Sequence, residues 1–156
     1  GHMSGTKLPI GGEDNHSVLA AHRGLPSAKL FSDLDKMKKG DKFYIHVLDK
    51  TLAYEVDQIM PMVEKDDTET LTNAMQNTEG EDYVTLFTCT PYGINSHRLL
   101  VRGVRTEYHG EDEEKVSDET MLQSVKDYYM LYVLLAVAIL ILLVIIFKLI
   151  KRRKQK

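Results

Sequence analysis

The sequence has few of the residues that cross-link or interrupt a chain: one cysteine, four prolines and no tryptophan. With Cys89 alone, the chain cannot form an intramolecular disulfide bond, so this thiol is either an inert packing residue or a reactive group. We also find no Gly-rich phosphate loop, no internal repeat and no heptad run. The 156 residues have room for one compact domain with one or two appended segments.

Basic residues are scarce in most of the chain. Six of the 20 lysines and arginines lie from residue 148 onward, so residues 1–147 carry 14 basic against 23 acidic residues, a formal net charge of about −9. Such a surface would repel nucleic acid, so we expect no nucleic-acid partner. The sequence gives no indication of a metal site or of another cofactor.

One long stretch has no charge at all, residues 128–147. As a helix it would extend about 30 Å, the thickness of the hydrocarbon core of a bilayer. Tyrosines at its start and the cations after it predict a single-pass transmembrane helix with a cytoplasmic C-terminus. The preceding domain would then be extracellular, at the cell membrane.

The chain divides by composition into five segments. Residues 1–3 (GHM) resemble the remnant of a cleaved purification tag. The predicted segments are the tag remnant at 1–3, a β-barrel at 4–110, an acidic juxtamembrane stalk at 111–127, the transmembrane helix at 128–147 and a basic cytoplasmic tail at 148–156.

Hydrophobic alternation predicts a mostly β domain with short helices, in a closed or nearly closed barrel. Residues 27–37 have helical spacing and predict a short helix or a pair of turns, and residues 66–76 predict a second short helix capped at Asp67 or Thr68. The predicted strands are 17–22, 43–48, 52–60, 83–89 and 98–108.

Cys89 lies at the C-terminal end of a predicted strand, directly before a loop that contains Pro91 and Gly93. A reactive group at such a position can reach solvent, and a thiol near its ordinary pKa of about 8.5 needs a neighbouring cation or base to become a nucleophile. Arg98 begins the next strand and would be the nearest cation, although spacing alone does not exclude Arg102 or Arg105.

The base must come from elsewhere in the chain. His22 ends a predicted strand and precedes a loop, as Cys89 does, whereas His97 would lie on the opposite face from Arg98 and His46 in the middle of a strand. His16 and His109 have polar neighbours in the sequence. Elimination therefore favours His22.

Three stretches resemble the class C, or pilin-polymerising, sortases. Residues 85–98 read TLFTCTPYGINSHR, residues 22–26 read HRGLP and residues 5–12 read GTKLPIGG. The resemblance implies a sortase-type β-barrel in which Cys89 is the nucleophile, His22 the catalytic histidine and Arg98 the catalytic arginine. A C-terminal membrane helix is also usual in that class. The family's first barrel strand and its lid would precede Ser4 and are expected to be absent, which would leave a barrel edge free for a strand-exchanged oligomer.

The implied activity is transpeptidation without a metal or cofactor. Cys89 would cleave an LPXTG-type sorting signal between Thr and Gly through a thioester, and a lysine of a pilin subunit would resolve it as an isopeptide bond. Thr88 is a candidate substrate-binding residue, with simple packing as its alternative. Two other functions stay open: a housekeeping sortase that attaches proteins to cell wall precursor, and a non-catalytic single-pass surface scaffold in which Cys89 is a buried structural thiol.

Overall fold

The computed structural model describes the backbone of residues 1–154. It describes the side chains of residues 1–110 and, beyond them, those of 112–113, 122, 125–126, 128–143 and 145–146. The chain forms two compact units, Gly1–Gly110 and Glu111–Lys156.

The first unit is built on one mixed five-stranded sheet. Its strands are β1 (Asn15–Ala20), β2 (Lys42–Val47), β3 (Lys50–Glu64), β4 (Asp82–Thr90) and β5 (His97–Thr106). They lie in the order β1-β4-β5-β3-β2, with β1 parallel to β4 and every other neighbouring pair antiparallel. The mostly β prediction is confirmed. The described strands form a curled half-barrel rather than a closed barrel, because β1 and β2 are edge strands that do not pair with each other.

The core lies on one face of the sheet. Alternation along β4 turns Val84 and Leu86 into this core, and Leu99 and Val101 of β5 pack beside them. Leu34 covers the same face from a single 3₁₀ turn, Leu34–Lys36, so the prediction of turns rather than a helix for residues 27–37 was the correct one.

The predicted second helix is present and shorter than expected. Helix α1 spans Thr68–Ala74 and is capped by Asp67, whose carboxylate accepts a hydrogen bond of 3.0 Å from the backbone N–H of Thr70. This bond lowers the pKa of Asp67, since it favours the ionised carboxylate. The cap explains why the helix begins at residue 68 and not at 66.

Residues 1–7 run along the outer edge of β1. The backbone N–H of Met3 donates to the carbonyl of Val18 at 2.8 Å, and that of Ala20 donates to the carbonyl of Gly1 at 2.8 Å. The predicted tag remnant is thus part of the sheet's hydrogen bonding, although this does not test its origin. The pairing satisfies backbone groups that an edge strand otherwise leaves open.

The second unit consists of helix α2, Gly110–Lys154, which begins before the predicted stalk. Its described side chains from Tyr128 to Leu143 are exposed. No helix in the part of the chain that the structure describes is both long and apolar enough to cross a membrane. Residues 144, 147 and the tail 148–156 lie outside the described side chains, so the anchor at 128–147 stays a prediction, as does the oligomer.

Candidate active site

Cys89 and Arg98 lie opposite each other on adjacent strands. The antiparallel register of β4 and β5 pairs them directly. Directly paired residues point to the same face of a sheet, with Cβ atoms about 4.5–5.5 Å apart. Of the three β5 arginines that the sequence left open, Arg98 is the one at the level of the thiol.

His22 follows β1, two residues beyond its end, and β1 lies on the other side of β4 from β5. The parallel register pairs Ala20 with Phe87, and beyond the end of β1 the backbone N–H of Ala21 still donates to the Phe87 carbonyl at 3.1 Å. If the same register continues for two more residues, Ala21 lies beside Thr88 and His22 beside Cys89. His22 is exposed, and its carbonyl accepts a hydrogen bond of 3.3 Å from the backbone N–H of Phe31.

The sheet therefore brings the three predicted residues to one end of three adjacent strands. Cys89 is half-buried, and among the described residues no hydrogen bond joins it to His22 or Arg98. The Arg98 guanidinium donates to the carbonyls of Asn95 at 3.0 Å and His97 at 2.9 Å, which holds it against the β4–β5 loop.

The other two arginines of β5 have different partners. Arg102 forms an ion pair with Asp57 and lies 4.2 Å from the ring centre of Tyr83, and Asp57 raises the pKa of the guanidinium. Arg105 lies over the ring of Tyr54 at 5.5 Å, near the end of β5 farthest from Cys89. Neither arginine is at the level of the thiol.

His16, which has polar neighbours in the sequence, is buried in the structure. It is only 2% exposed, and its Nδ1 and Nε2 lie 2.7 Å from the Gln76 carbonyl and 2.8 Å from Thr85 Oγ1. Burial lowers the pKa of this imidazole, since desolvation disfavours its charged form. His16 therefore fastens the segment after α1 to the sheet rather than serving Cys89.

The remaining histidines lie away from the thiol. His97 bonds to Ser96 and pairs with Thr90, on the opposite face from Cys89, and His46 contacts Thr51 in the β2–β3 hairpin. His109 follows β5, 3.8 Å from Glu107, and His2 pairs with Leu19 at the outer edge of β1. Of the six histidines, His22 is the one that the β1–β4 register, extended past Ala20, would bring beside Cys89.

Thr88 lies on the core side of β4. It is 1% exposed, and its hydroxyl donates to the Ala21 carbonyl at 2.8 Å. This placement favours a role in holding the end of β1 against β4, and a direct contact with substrate stays an untested prediction.

Sequence reasoning missed two neighbours of His22. Arg23 donates to Thr90 Oγ1 at 3.2 Å and pairs with Asp35. Gly24 has a φ of +81°, and a Cβ there would come within 2.6 Å of the Tyr92 ring. No periodicity signals either contact, because each depends on how two loops meet.

The chemistry of the site is that of a thiol, an imidazole and a guanidinium, which suits acyl transfer. No group of three His, Cys, Asp or Glu side chains able to hold a metal ion occurs in the described part of the chain.

Comparisons with known proteins point to one family. The family model described as "Sortase domain" matches residues 1–106. A solved sortase C from Streptococcus pneumoniae is 62% identical, with a TM-score of 0.64, over 69% of this chain and 54% of that chain. Sortase C2 of Pilus Island 1 from group B Streptococcus is 52% identical, with a TM-score of 0.63, over 69% of this chain and 58% of that chain.

The curated proteins give the same family. Sortase SrtE2 of Streptomyces coelicolor is 33% identical over 105 residues, which are 64% of this chain and 41% of that protein. The chain thus spans between 41% and 58% of the length of these three relatives.

Proposed function

Because the chain belongs to the sortase family and resembles solved sortase C enzymes, we propose that it is the catalytic region of a cysteine transpeptidase that joins pilin subunits. The observation that supports this is the strand register. It pairs Cys89 of β4 with Arg98 of β5. The β1–β4 register, if extended two residues past its last pair, would bring His22 beside Cys89.

The proposed reaction has two acyl transfers. The Cys89 thiolate attacks the Thr carbonyl of an LPXTG-type signal, and the Thr–Gly bond breaks as imidazolium His22 gives a proton to the leaving glycine amine. Arg98 holds the oxyanion of the tetrahedral intermediate. A pilin lysine, as the neutral amine, then attacks the thioester, loses a proton to His22 and releases the thiolate, leaving an isopeptide bond.

The deciding experiment is mass spectrometry of the full chain after mixing with an LPXTG peptide. We expect a covalent mass on Cys89 equal to the peptide up to its Thr acyl group, and no adduct in Cys89→Ala. His22→Ala and Arg98→Ala should lower the rate of adduct formation by about 10²-fold or more. His46→Ala is the matched control, since it removes a histidine of the β2–β3 hairpin and should react at the wild-type rate. A wild-type chain without an adduct, or an adduct elsewhere than Cys89, would overturn the proposal.

The acceptor is tested separately. The Cys89 thioester is mixed with a lysine-bearing pilin peptide or with a glycine amine at equal concentration. We expect the isopeptide product with the lysine peptide. Preference for glycine would instead point to cell wall attachment.

The sequence alone supports our further proposal that residues 128–147 anchor the domain to the cell membrane. Fractionation of cells should then place the full chain in membranes and leave residues 1–110 unbound. Equal distribution of the two would refute the anchor.

A further inference from the structure

The side chain of Arg23, the residue after His22, is only 10% exposed. Its guanidinium spans two elements: Nη1 donates to Thr90 Oγ1 at 3.2 Å, and Nη2 pairs with Asp35 of the 3₁₀ turn. Thr90 directly follows Cys89, so one side chain connects the two backbone segments that carry the predicted thiol and imidazole.

Arg23 acts from the core side of the sheet. Thr90 is buried at 6% exposure and lies two residues from Thr88, on the face opposite Cys89. A guanidinium bonded there is directed away from the reacting atoms. Any effect of Arg23 on catalysis must therefore be indirect, through the alignment of His22 with Cys89.

The parallel register supports this reading. Past Ala20 the β1–β4 ladder ends, and side chains take over the alignment: Thr88 bonds to the Ala21 carbonyl and Arg23 bonds to Thr90, both across a separation of 67 residues. That separation is the offset of the ladder itself, in which Ala20 pairs with Phe87. His22 is thus fixed in register from both sides.

We propose that Arg23 is a positioning residue, which sets the register of His22 against Cys89 through Thr90 and Asp35. The inference rests on the proposed function for its catalytic consequence and on the contacts above for its structural one. An arginine suits the task because its planar fork reaches two acceptors at once, whereas the single ammonium of a lysine does not reproduce both contacts.

The test compares three single variants of the full chain and the double variant Arg23→Lys/Thr90→Val. Arg23→Lys keeps the charge and loses the fork, and Thr90→Val removes one acceptor at nearly constant shape. Lys29→Ala is the matched control, because it breaks an exposed ion pair with Asp33 in the same loop. We measure kcat and KM with an LPXTG peptide, and amide hydrogen exchange at residues 21–24.

We expect Arg23→Lys and Thr90→Val to lower kcat about tenfold or more with KM within twofold. We also expect faster exchange of the Ala21 and Gly24 amides, which bond to the Phe87 carbonyl and Ser32 Oγ, while β5 amides exchange at the wild-type rate. The double variant should have a kcat no lower than that of Arg23→Lys, because both single changes remove the same contact, the one between Arg23 and Thr90. Lys29→Ala should match wild type.

Three results would overturn the inference: wild-type kcat and exchange in both variants, an effect on KM alone, or faster exchange throughout β5 in both variants. Failure of the proposed function would give a different result, namely a wild-type chain with no activity towards the peptide. In that case the hydrogen-exchange measurement alone still tests whether Arg23 holds residues 21–24.

Discussion

The buried imidazole of His16 makes a sharp prediction about acid stability. Its Nδ1 donates to the Gln76 carbonyl, so Nε2 is the atom that accepts the Thr85 hydroxyl proton, and the ring is neutral. His16→Leu fills a similar volume and leaves the buried Thr85 hydroxyl and the more exposed Gln76 carbonyl without this partner. At about 1–3 kcal/mol for each unsatisfied group, partly offset by the added apolar burial, we expect a loss of about 1–3 kcal/mol at pH 8.

The pH dependence has a definite sign. Burial lowers the pKa of folded His16 below its ordinary value of 6.5, so the unfolded chain binds more protons as the pH falls. The stabilisation from His16 is therefore complete above pH 6.5 and decreases below it, with a slope of at most about 1.4 kcal/mol per pH unit for one proton. Arg102 and Asp57 act on this ring in opposite directions, Arg102 lowering and Asp57 raising the pKa.

The assay is urea unfolding at pH 8, 6.5 and 5, followed by the near-ultraviolet circular dichroism of the tyrosines, since the chain has eight tyrosines and no tryptophan. The free-energy difference between wild type and His16→Leu should narrow from pH 6.5 to pH 5. His46→Leu, at an exposed histidine, should run parallel to wild type. A constant difference for His16→Leu across the range would refute the assignment of a neutral, doubly bonded ring.

Two further predictions concern the core face. Gly103→Ala would place a Cβ 2.5 Å from the Phe43 ring and 2.9 Å from the Tyr54 Cβ. We expect this overpacking to lower the free energy of unfolding by about 1–3 kcal/mol, measured as a lower urea midpoint. An unchanged midpoint would contradict the packing around Gly103. Burial, with the nearby carboxylate of Asp82, raises the pKa of Tyr54 to about 12. One tyrosine should therefore ionise well above pH 10 in an absorbance titration at 295 nm. Tyr54→Phe should remove this ionisation and leave those of the other tyrosines.

Much of the fold could be predicted because its signals are local. The alternation of apolar and polar residues predicted the bounds of each strand to within a few residues. Asp67 indicated the start of α1, because its capping contact lies within the first turn of the helix. Strand order was beyond the sequence, because pairing β1 with β4 depends on contacts across most of the domain. A closed or nearly closed barrel was expected from the β content, and the open strand order shows a curled half-barrel instead.

The sequence could nominate members of the candidate site, but it could not reveal the contacts that support them. Cys89 and Arg98 flank one loop, so a hairpin register was enough to bring them together. His22 was reached by elimination and by family resemblance, and the parallel pairing of β1 with β4 is consistent with that choice. The burial of His16 could not be predicted, because polar neighbours in the sequence say nothing about burial.

The parallel pairing of β1 with β4 also has a consequence for folding. Parallel strands need a long crossover, and here β2, β3 and α1 all lie between the two partners. Such distant pairing carries a loop-closure cost and forms slowly. During synthesis, β1 leaves the ribosome well before β4. The segment that carries the imidazole is therefore present before the segment that carries the thiol. The proposed site can form only when the sheet is complete.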